Sequence, residues 1–347
     1  MELIIWSLVF VVSVCALIKA ADWLVLGLQK VARISGSRAM QAGLPAALIG
    51  VALPELAAAI AAVVQGYPEV AVALVIGSSI ANILLVTGVS ALTGGPLALK
   101  KEYIELDLPL FAASVMAFCF VAADGTINRF EGVVMILMFF VYSFYVFSLR
   151  PRRDITARDI ITPELLGGPA IARIVEMLPT RLEKKLEAVT GAEKHPWWKA
   201  AIFLFGGAAF LVVAANFTVD SLMGISGNKL IMVSGAVTAM IVLAIATALP
   251  ELFGSLDAIR AKKDGLTLGN LFAATTVNLL LVCGVASLFA PLAFGSAAVI
   301  LSVGLPFLAA AALLLVIAAI TGKINSGEGA LFLFLYFIFF VKLLGLF

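Results

Sequence analysis

Histidine appears once in 347 residues, cysteine three times, and charged side chains make up only 13% of the chain. The single imidazole, His195, excludes a histidine metal cluster. Cys15, Cys119 and Cys283 lie in separate apolar runs without metal-ligand spacing, so packing roles are expected for all three. A net charge of +2 leaves no basic surface for nucleic acid. The N-terminal run shows neither a basic leader nor a small-residue cleavage site, and residues 1–18 are expected to begin a retained helix. What fills the chain is apolar: 63% of it is hydrophobic. A soluble domain cannot hide that much apolar surface, so the composition calls for a polytopic membrane protein.

Two copies of one pentapeptide organise this apolar background. Ala52-Leu53-Pro54-Glu55-Leu56 recurs 196 residues later as Ala248-Leu249-Pro250-Glu251-Leu252. The same offset aligns Asn82–Leu92 with Asn278–Leu288, where seven of eleven positions are identical. Each copy places an acidic residue inside a run long enough to cross a bilayer, where acids are expensive.

A span needs about 20 apolar residues. Ten such segments can be drawn: 3–29, 39–65, 69–94, 103–124, 128–149, 199–224, 229–259, 265–290, 296–321 and 327–346. The polar interval from Arg150 to Trp198 divides them five and five. An odd number of helices per half makes the second half enter the membrane from the opposite side. The expected fold is therefore an all-α polytopic membrane protein of two inverted five-helix repeats, 1–149 and 199–347, joined by a linker over 150–198. Loop charges orient it. With the N-terminus outside, 19 of the 23 Lys and Arg residues fall on the inner side, so both termini are expected outside.

Within the linker, Pro169–Leu178 and Thr180–Thr190 carry apolar residues at helical spacing against charged ones, as amphipathic helices on the inner membrane face do. Glu183, Glu187 and Glu193 could form a regulatory metal site; a solvated charged face is the plainer explanation. His195-Pro196-Trp197-Trp198-Lys199 has the character of an interfacial anchor.

Pro54 and Pro250 each remove a backbone donor, and the second and seventh helices are expected to break or kink there. A broken helix frees carbonyl oxygens in mid-membrane, tolerable where they line a cavity or hold a cation. Thr247 lies four residues before Glu251, on the same helical face. Ser78 and Asn82 stand in the same relation, and Asn278 holds the matching place in the eighth helix. Glu55, Glu251, Asn82, Asn278, Ser78 and Thr247 thus form a candidate metal site of oxygen and amide ligands, without sulfur or imidazole. Such ligation suits hard cations, Ca²⁺ above all, with Mg²⁺, Mn²⁺ or Na⁺ as others. Each Glu could instead be a protonated core residue, but two after Pro at repeated positions argue against that. Ser78 and Thr247 could simply bond their own helix backbone. Elsewhere, Lys19 with Asp22 and Asp257 with Arg260 have the spacing of local ion pairs.

These residues resemble the calcium/cation antiporter superfamily, in its sodium/calcium exchanger branch. The family motif is G-T-S-L-P-E-L followed by G-S-N-I-x-N. Here the first copy reads Gly50-Val51-Ala52-Leu53-Pro54-Glu55-Leu56, then Gly77-Ser78-Ser79-Ile80-Ala81-Asn82. The second reads Ala246-Thr247-Ala248-Leu249-Pro250-Glu251-Leu252, then Gly269-Asn270-Leu271, ending at Asn278. From Glu to Asn the spacing is 27 in both. The resemblance extends over all ten spans, including Ala21–Val25 and Asp107-Leu108-Pro109.

The resemblance implies that Glu55 and Glu251 are central Ca²⁺ ligands with Asn82 and Asn278 beside them, and that Ser78 and Thr247 help bind Na⁺. It also marks departures. Val51, Ala52, Ala248 and Ala274 stand where the family has Thr, Ser, Ser and Ser, so four of six hydroxyl ligands are missing. Two ionised Glu balance one Ca²⁺, two Na⁺ or two H⁺. A third Na⁺ would leave a positive site stripped of most neutral oxygens, which is costly in a low dielectric. Protons compete with the metal for the same carboxylates. The expected function is a secondary-active cell-membrane antiporter exchanging Ca²⁺, or another hard divalent cation, for Na⁺ or H⁺. No cofactor is expected; the partners are membrane lipid and inorganic cations, with no nucleic acid and no obligate protein partner. Two alternatives stay open: a transport-impaired or regulatory family member, and an intramembrane acid/base enzyme using the two Glu. The enzyme would want a nucleophile or metal triad beside them, and none is evident in the sequence.

Overall fold

The computed structural model describes residues 2–35, 52–99, 103–149, 197–228, 233–260, 264–294 and 298–345. The chain is almost wholly helical. Helix α1 is Glu2–Ser35, α2 Leu53–Val64, α3 Pro68–Gly94, α4 Tyr103–Asp124 and α5 Arg129–Leu149. Helix α6 opens at Trp197–Ala201 and continues through Ile202–Ser226, followed by α7, Gly235–Arg260. Helix α8 joins Asp264–Val277, Asn278–Val282 and Cys283–Phe289; α9 is Ile300–Ile320 and α10 Ser326–Leu343. Nine of these are long and apolar enough to cross a bilayer among the described residues. The 12 residues of α2 are the described part of the second expected span. The amphipathic linker segments, Glu183, Glu187, Glu193 and His195 lie outside the described residues, as does Val51.

Hydrophobicity that would be a liability in water is here the outer coat. Phe120, Phe130, Phe144, Phe205, Phe217, Phe334 and Phe337 are all exposed. They project from α4, α5, α6 and α10, as lipid-facing side chains do. Two helices have no such face. Every residue from Val70 to Leu84 in α3 and from Ala274 to Gly284 in α8 is buried. These two form the middle of the molecule.

Small residues let the backbones close around them. A Cβ on Gly77 of α3 would come within 2.6 Å of the Met240 carbonyl of α7. A Cβ on Gly88 of α3 would stand 2.9 Å from the Gly329 carbonyl of α10, and one on its repeat partner Gly284 of α8 would stand 2.9 Å from the Gly132 carbonyl of α5. Two short antiparallel ladders tie the loops: β1 (Leu97–Ala98) pairs with β4 (Lys323–Ile324), and β2 (Thr126–Ile127) with β3 (Leu292–Ala293). Each joins a loop of the first half to a loop of the second. The loops after α3 and α9 therefore share one end of the molecule, and those after α4 and α8 share the other.

Candidate ion-binding site

The first half's glutamate sits at a helix start. Pro54 lies in the first turn of α2, where its missing N–H costs nothing, and Glu55 follows it, 1% exposed. The expected break at Pro54 is thus where the described part of α2 begins. At Pro250 the outcome differs: α7 is helical without interruption from Ala244 to Arg260. Its irregularity lies about two turns upstream of Pro250, in the π-helical segment Ala239–Leu243. Membrane helices tolerate an internal proline where neighbouring groups take up the freed carbonyl. The carbonyl released here is that of Ala246, the residue before Thr247.

The amides sit on π-helical turns. Asn82 lies in the π segment Ala81–Val86 of α3, and Asn278 opens the π segment Asn278–Val282 of α8. Such bulges recur at functional sites because the widened turn unpairs carbonyls and re-aims side chains. No local sequence signal announces them; only the repetition at matched positions could have. The Thr87 hydroxyl donates to the Asn82 carbonyl at 3.2 Å, taking up one of the acceptors.

Packing then crosses the halves over. Helix α2 touches the π segment of α8, and α7 touches the π segment of α3. The Asn278 amide donates from Nδ2 to Ser78 Oγ at 3.2 Å, a buried bond between residues 200 apart. The Glu251 carboxylate lies within electrostatic reach of Glu55, and the Thr247 side chain lies beside Glu55. The Thr247 hydroxyl donates to the Ala244 carbonyl at 3.3 Å, and that of Ser78 to Val75 at 3.3 Å. All six sequence-selected residues thus belong to the meeting of α2, α3, α7 and α8.

What the site lacks is internal satisfaction. Both Glu55 oxygens, Glu251 Oε2, and both polar atoms of the Asn82 carboxamide are buried without a hydrogen-bond partner. Buried polar atoms of native proteins are nearly always bonded, so a cluster of orphans marks a place built for an ion, protons or water. Among the described residues no group of three or more His, Cys, Asp or Glu side chains converges. The acceptors in view are therefore two carboxylates, carboxamide oxygens and hydroxyls, a set for a hard cation. Ala52, Ala248 and Ala274, which stand at family hydroxyl positions, are all buried. Four hydroxyls escaped the sequence reading: Ser79, Ser90, Thr275 and Thr276 are fully buried and unpartnered on the same two central helices. Ser79 and Thr275 are repeat partners at the offset of 196, and that offset could have found them.

Away from the centre, the two expected ion pairs form. Lys19 lies 3.9 Å from Asp22, and Arg260 3.2 Å from Asp257.

The chain is also similar to known proteins. The model of the sodium/calcium exchanger protein family matches residues 5–148 and 199–345, leaving out the linker. CaxA of Alkalimonas amylolytica is 28% identical over 292 residues, covering 83% of this chain and 82% of its own. The sodium/calcium exchanger MaX1 of Methanosarcina acetivorans is 25% identical over 364 residues and 97% of each chain. Among solved structures, the sodium-calcium exchanger NCX_Mj, studied for extracellular ion exchange with Na⁺ and Sr²⁺, matches with a TM-score of 0.55. That match has 25% identity over 97% of this chain and 98% of the other. The chain is a multi-pass integral membrane protein and belongs to the sodium/calcium exchanger family of cation antiporters.

Proposed function

We propose that this chain exchanges Ca²⁺, or another hard divalent cation, for H⁺ or Na⁺ by alternating access. One observation carries the proposal: two repeat-related glutamates, unpartnered at three of their four oxygens, within each other's field where four helices of both halves meet. Two ionised carboxylates side by side in a low dielectric repel and are poorly solvated. A divalent cation or two protons removes both penalties, and this equivalence is what couples the two fluxes. Asn82, Asn278, Ser78 and Thr247 would complete the metal's coordination sphere. Between carriers of the two charges, the buried alanines Ala52, Ala248 and Ala274 disfavour a cage for several Na⁺ ions and leave protonation untouched.

The proposed architecture is an inverted repeat. Residues 1–149 and 199–347 form two five-helix halves, residues 150–198 lie on the inner face, and both termini are outside. The gapless offset, the loop charges and the cross-half loop pairs support this arrangement. Rocking the halves about the shared site would expose it to each side in turn.

The deciding experiment is ⁴⁵Ca²⁺ uptake into proteoliposomes under an imposed H⁺ or Na⁺ gradient. Uptake driven by either gradient is expected. Its absence under both, with the protein folded, would leave the regulatory alternative standing.

A further inference from the structure

Helix α1 lies on α6 at backbone distance. A Cβ on Gly27 of α1 would come within 2.6 Å of the Leu204 nitrogen of α6, and one on Gly207 of α6 within 2.7 Å of the Leu24 nitrogen of α1. Contacts this close through glycine leave no slack between the two helices. Beyond α1, the long part of α6 packs chiefly on α2 among the described residues. That contact joins the first half to the second, and it covers the helix that carries Glu55 in its first turn.

A polar bridge crosses the contact of α2 with α6. Gln65, which caps the far end of α2, donates from Nε2 to Asn216 Oδ1 at 2.9 Å and to the Asn216 carbonyl at 3.3 Å. Asn216 is oriented to receive it. Its own Nδ2 donates to the Val212 carbonyl one turn back at 2.8 Å, which leaves Oδ1 for Gln65. Gln65 Oε1 is buried without a partner, so the hydrogen bonds of this side chain go to α6. The bridge is not repeated. At the offset of 196, Gln65 corresponds to Ala261 and Asn216 to Ala20, so the inverted contact of α7 with α1 has alanine at both places. Gln65 lies just before α3 begins, and the loop after α3 belongs to the opposite end of the molecule. With the orientation read from the loop charges, Gln65 is therefore on the outer side.

We propose that Gln65 and Asn216 form a latch that holds the outer access route shut, with no equivalent on the inner side, so that the two faces of the transporter are unequal. The proposal rests on the alternating-access function and the orientation above, and it assigns residues to a step that the glutamate pair does not determine. A motion that bares Glu55 to the outer side between α2 and α6 parts these helices and breaks the bridge. Once they part, both amides face water, which takes up part of the loss. What remains is the net strength of an ordinary hydrogen bond, about a three- to tenfold bias towards the form closed on the outside. At the inner counterpart, two alanines impose no such bias.

The test uses the full-length protein in a Cys-free background. Ala61, buried on α2 four residues before Gln65 and so on the same helical face, is replaced by Cys as a reporter. Its labelling by an impermeant thiol reagent added outside follows the fraction of molecules open on that side. Gln65→Met or Asn216→Leu, each near the original size but without the bridge, should raise the labelling rate about three- to tenfold. The double variant should rise no further than either single one, because both remove the same bond. Cys283, fully buried on α8 and kept as the sole cysteine in a parallel background, should not gain reactivity, which separates a latch from general loosening. In proteoliposomes the half-saturating Ca²⁺ concentration on the outer face should fall by the same factor in the latch variants, while that on the inner face stays put. The proposal is overturned if the reporter rate is unchanged, if the two substitutions add, if Cys283 gains reactivity in step, or if the two Ca²⁺ constants move together. Faster labelling from the inner side instead would reverse the orientation and keep the latch. A wild type that carries no Ca²⁺ would sink the exchange reading, and the labelling series would still decide the latch.

Discussion

Replacing either of the repeat-related glutamates by glutamine tests the charge argument at its source. Glu55→Gln or Glu251→Gln leaves one carboxylate against a divalent ion, an uncompensated charge that costs several kcal/mol in a low-dielectric site, on the order of 3–5. Ca²⁺ exchange should fall below detection in both, while the purified proteins stay folded. Acid should act in the same direction on the wild type. Protons occupy the oxygens the metal needs, so the half-saturating Ca²⁺ concentration should rise as pH falls, measured as initial uptake at a series of pH values. A pH-independent Ca²⁺ affinity would break the link between proton and metal. The hydroxyl positions give the converse test: Val51→Thr, Ala52→Ser, Ala248→Ser and Ala274→Ser together should strengthen Na⁺-driven Ca²⁺ uptake at fixed pH. If the wild type already runs fully on Na⁺, the oxygens counted as missing are supplied elsewhere, by backbone carbonyls.

Helices meet here through glycine and alanine, and this sets what the elements tolerate. A Cβ on Gly77 would stand 2.6 Å from a backbone oxygen of α7 and 2.8 Å from the Ala244 methyl. Backbone cannot rotate aside as a side chain can, so Gly77→Ala must push α3 away from α7. Overpacking of this kind costs about 1–3 kcal/mol. Gly77→Ala should lower the Tm of the purified protein and weaken exchange with it, whereas Gly206→Ala, with nothing within 4 Å of the new Cβ, should do neither. Equal Tm values for the two variants would mean that the helices separate freely. The linker belongs to the same scale. If it is a charged surface element, replacing Glu183, Glu187 and Glu193 together by Gln should leave the metal dependence of transport unchanged; a large shift in half-saturating metal would reveal a regulatory site there.

The whole molecule poses a question of orientation. With ten spans and the basic loops inside, tags at the two ends should both be labelled from outside the intact cell by an impermeant reagent. A cysteine placed at Arg158 in a Cys-free background should be labelled only after lysis. Opposite accessibility for the two termini would require an odd number of spans and remove the inverted repeat. The loops after α3 and α9 pair with each other, as do those after α4 and α8, so each pair should be accessible from the same side.

Much of this was legible in the linear chain because the bilayer imposes simple rules. Span positions follow from hydrophobic length, and the nine long helices found among the described residues fall close to the predicted segments. The duplication marked Glu55, Glu251, Asn82 and Asn278, since an acid after proline inside an apolar run has no cheap structural excuse. Tertiary structure alone decided how these residues are used. It kept α7 helical through Pro250 and placed a π turn at Ala239–Leu243, neither of which the proline announces. It joined Asn278 to Ser78 across the halves and left Asn82 without that partner, an asymmetry visible only once Ala274 is seen to hold the matching place. It also exposed the unpartnered hydroxyls of Ser79 and Thr275. Periodicity records which residues are apolar, but whether a buried oxygen finds a donor depends on neighbours hundreds of residues away.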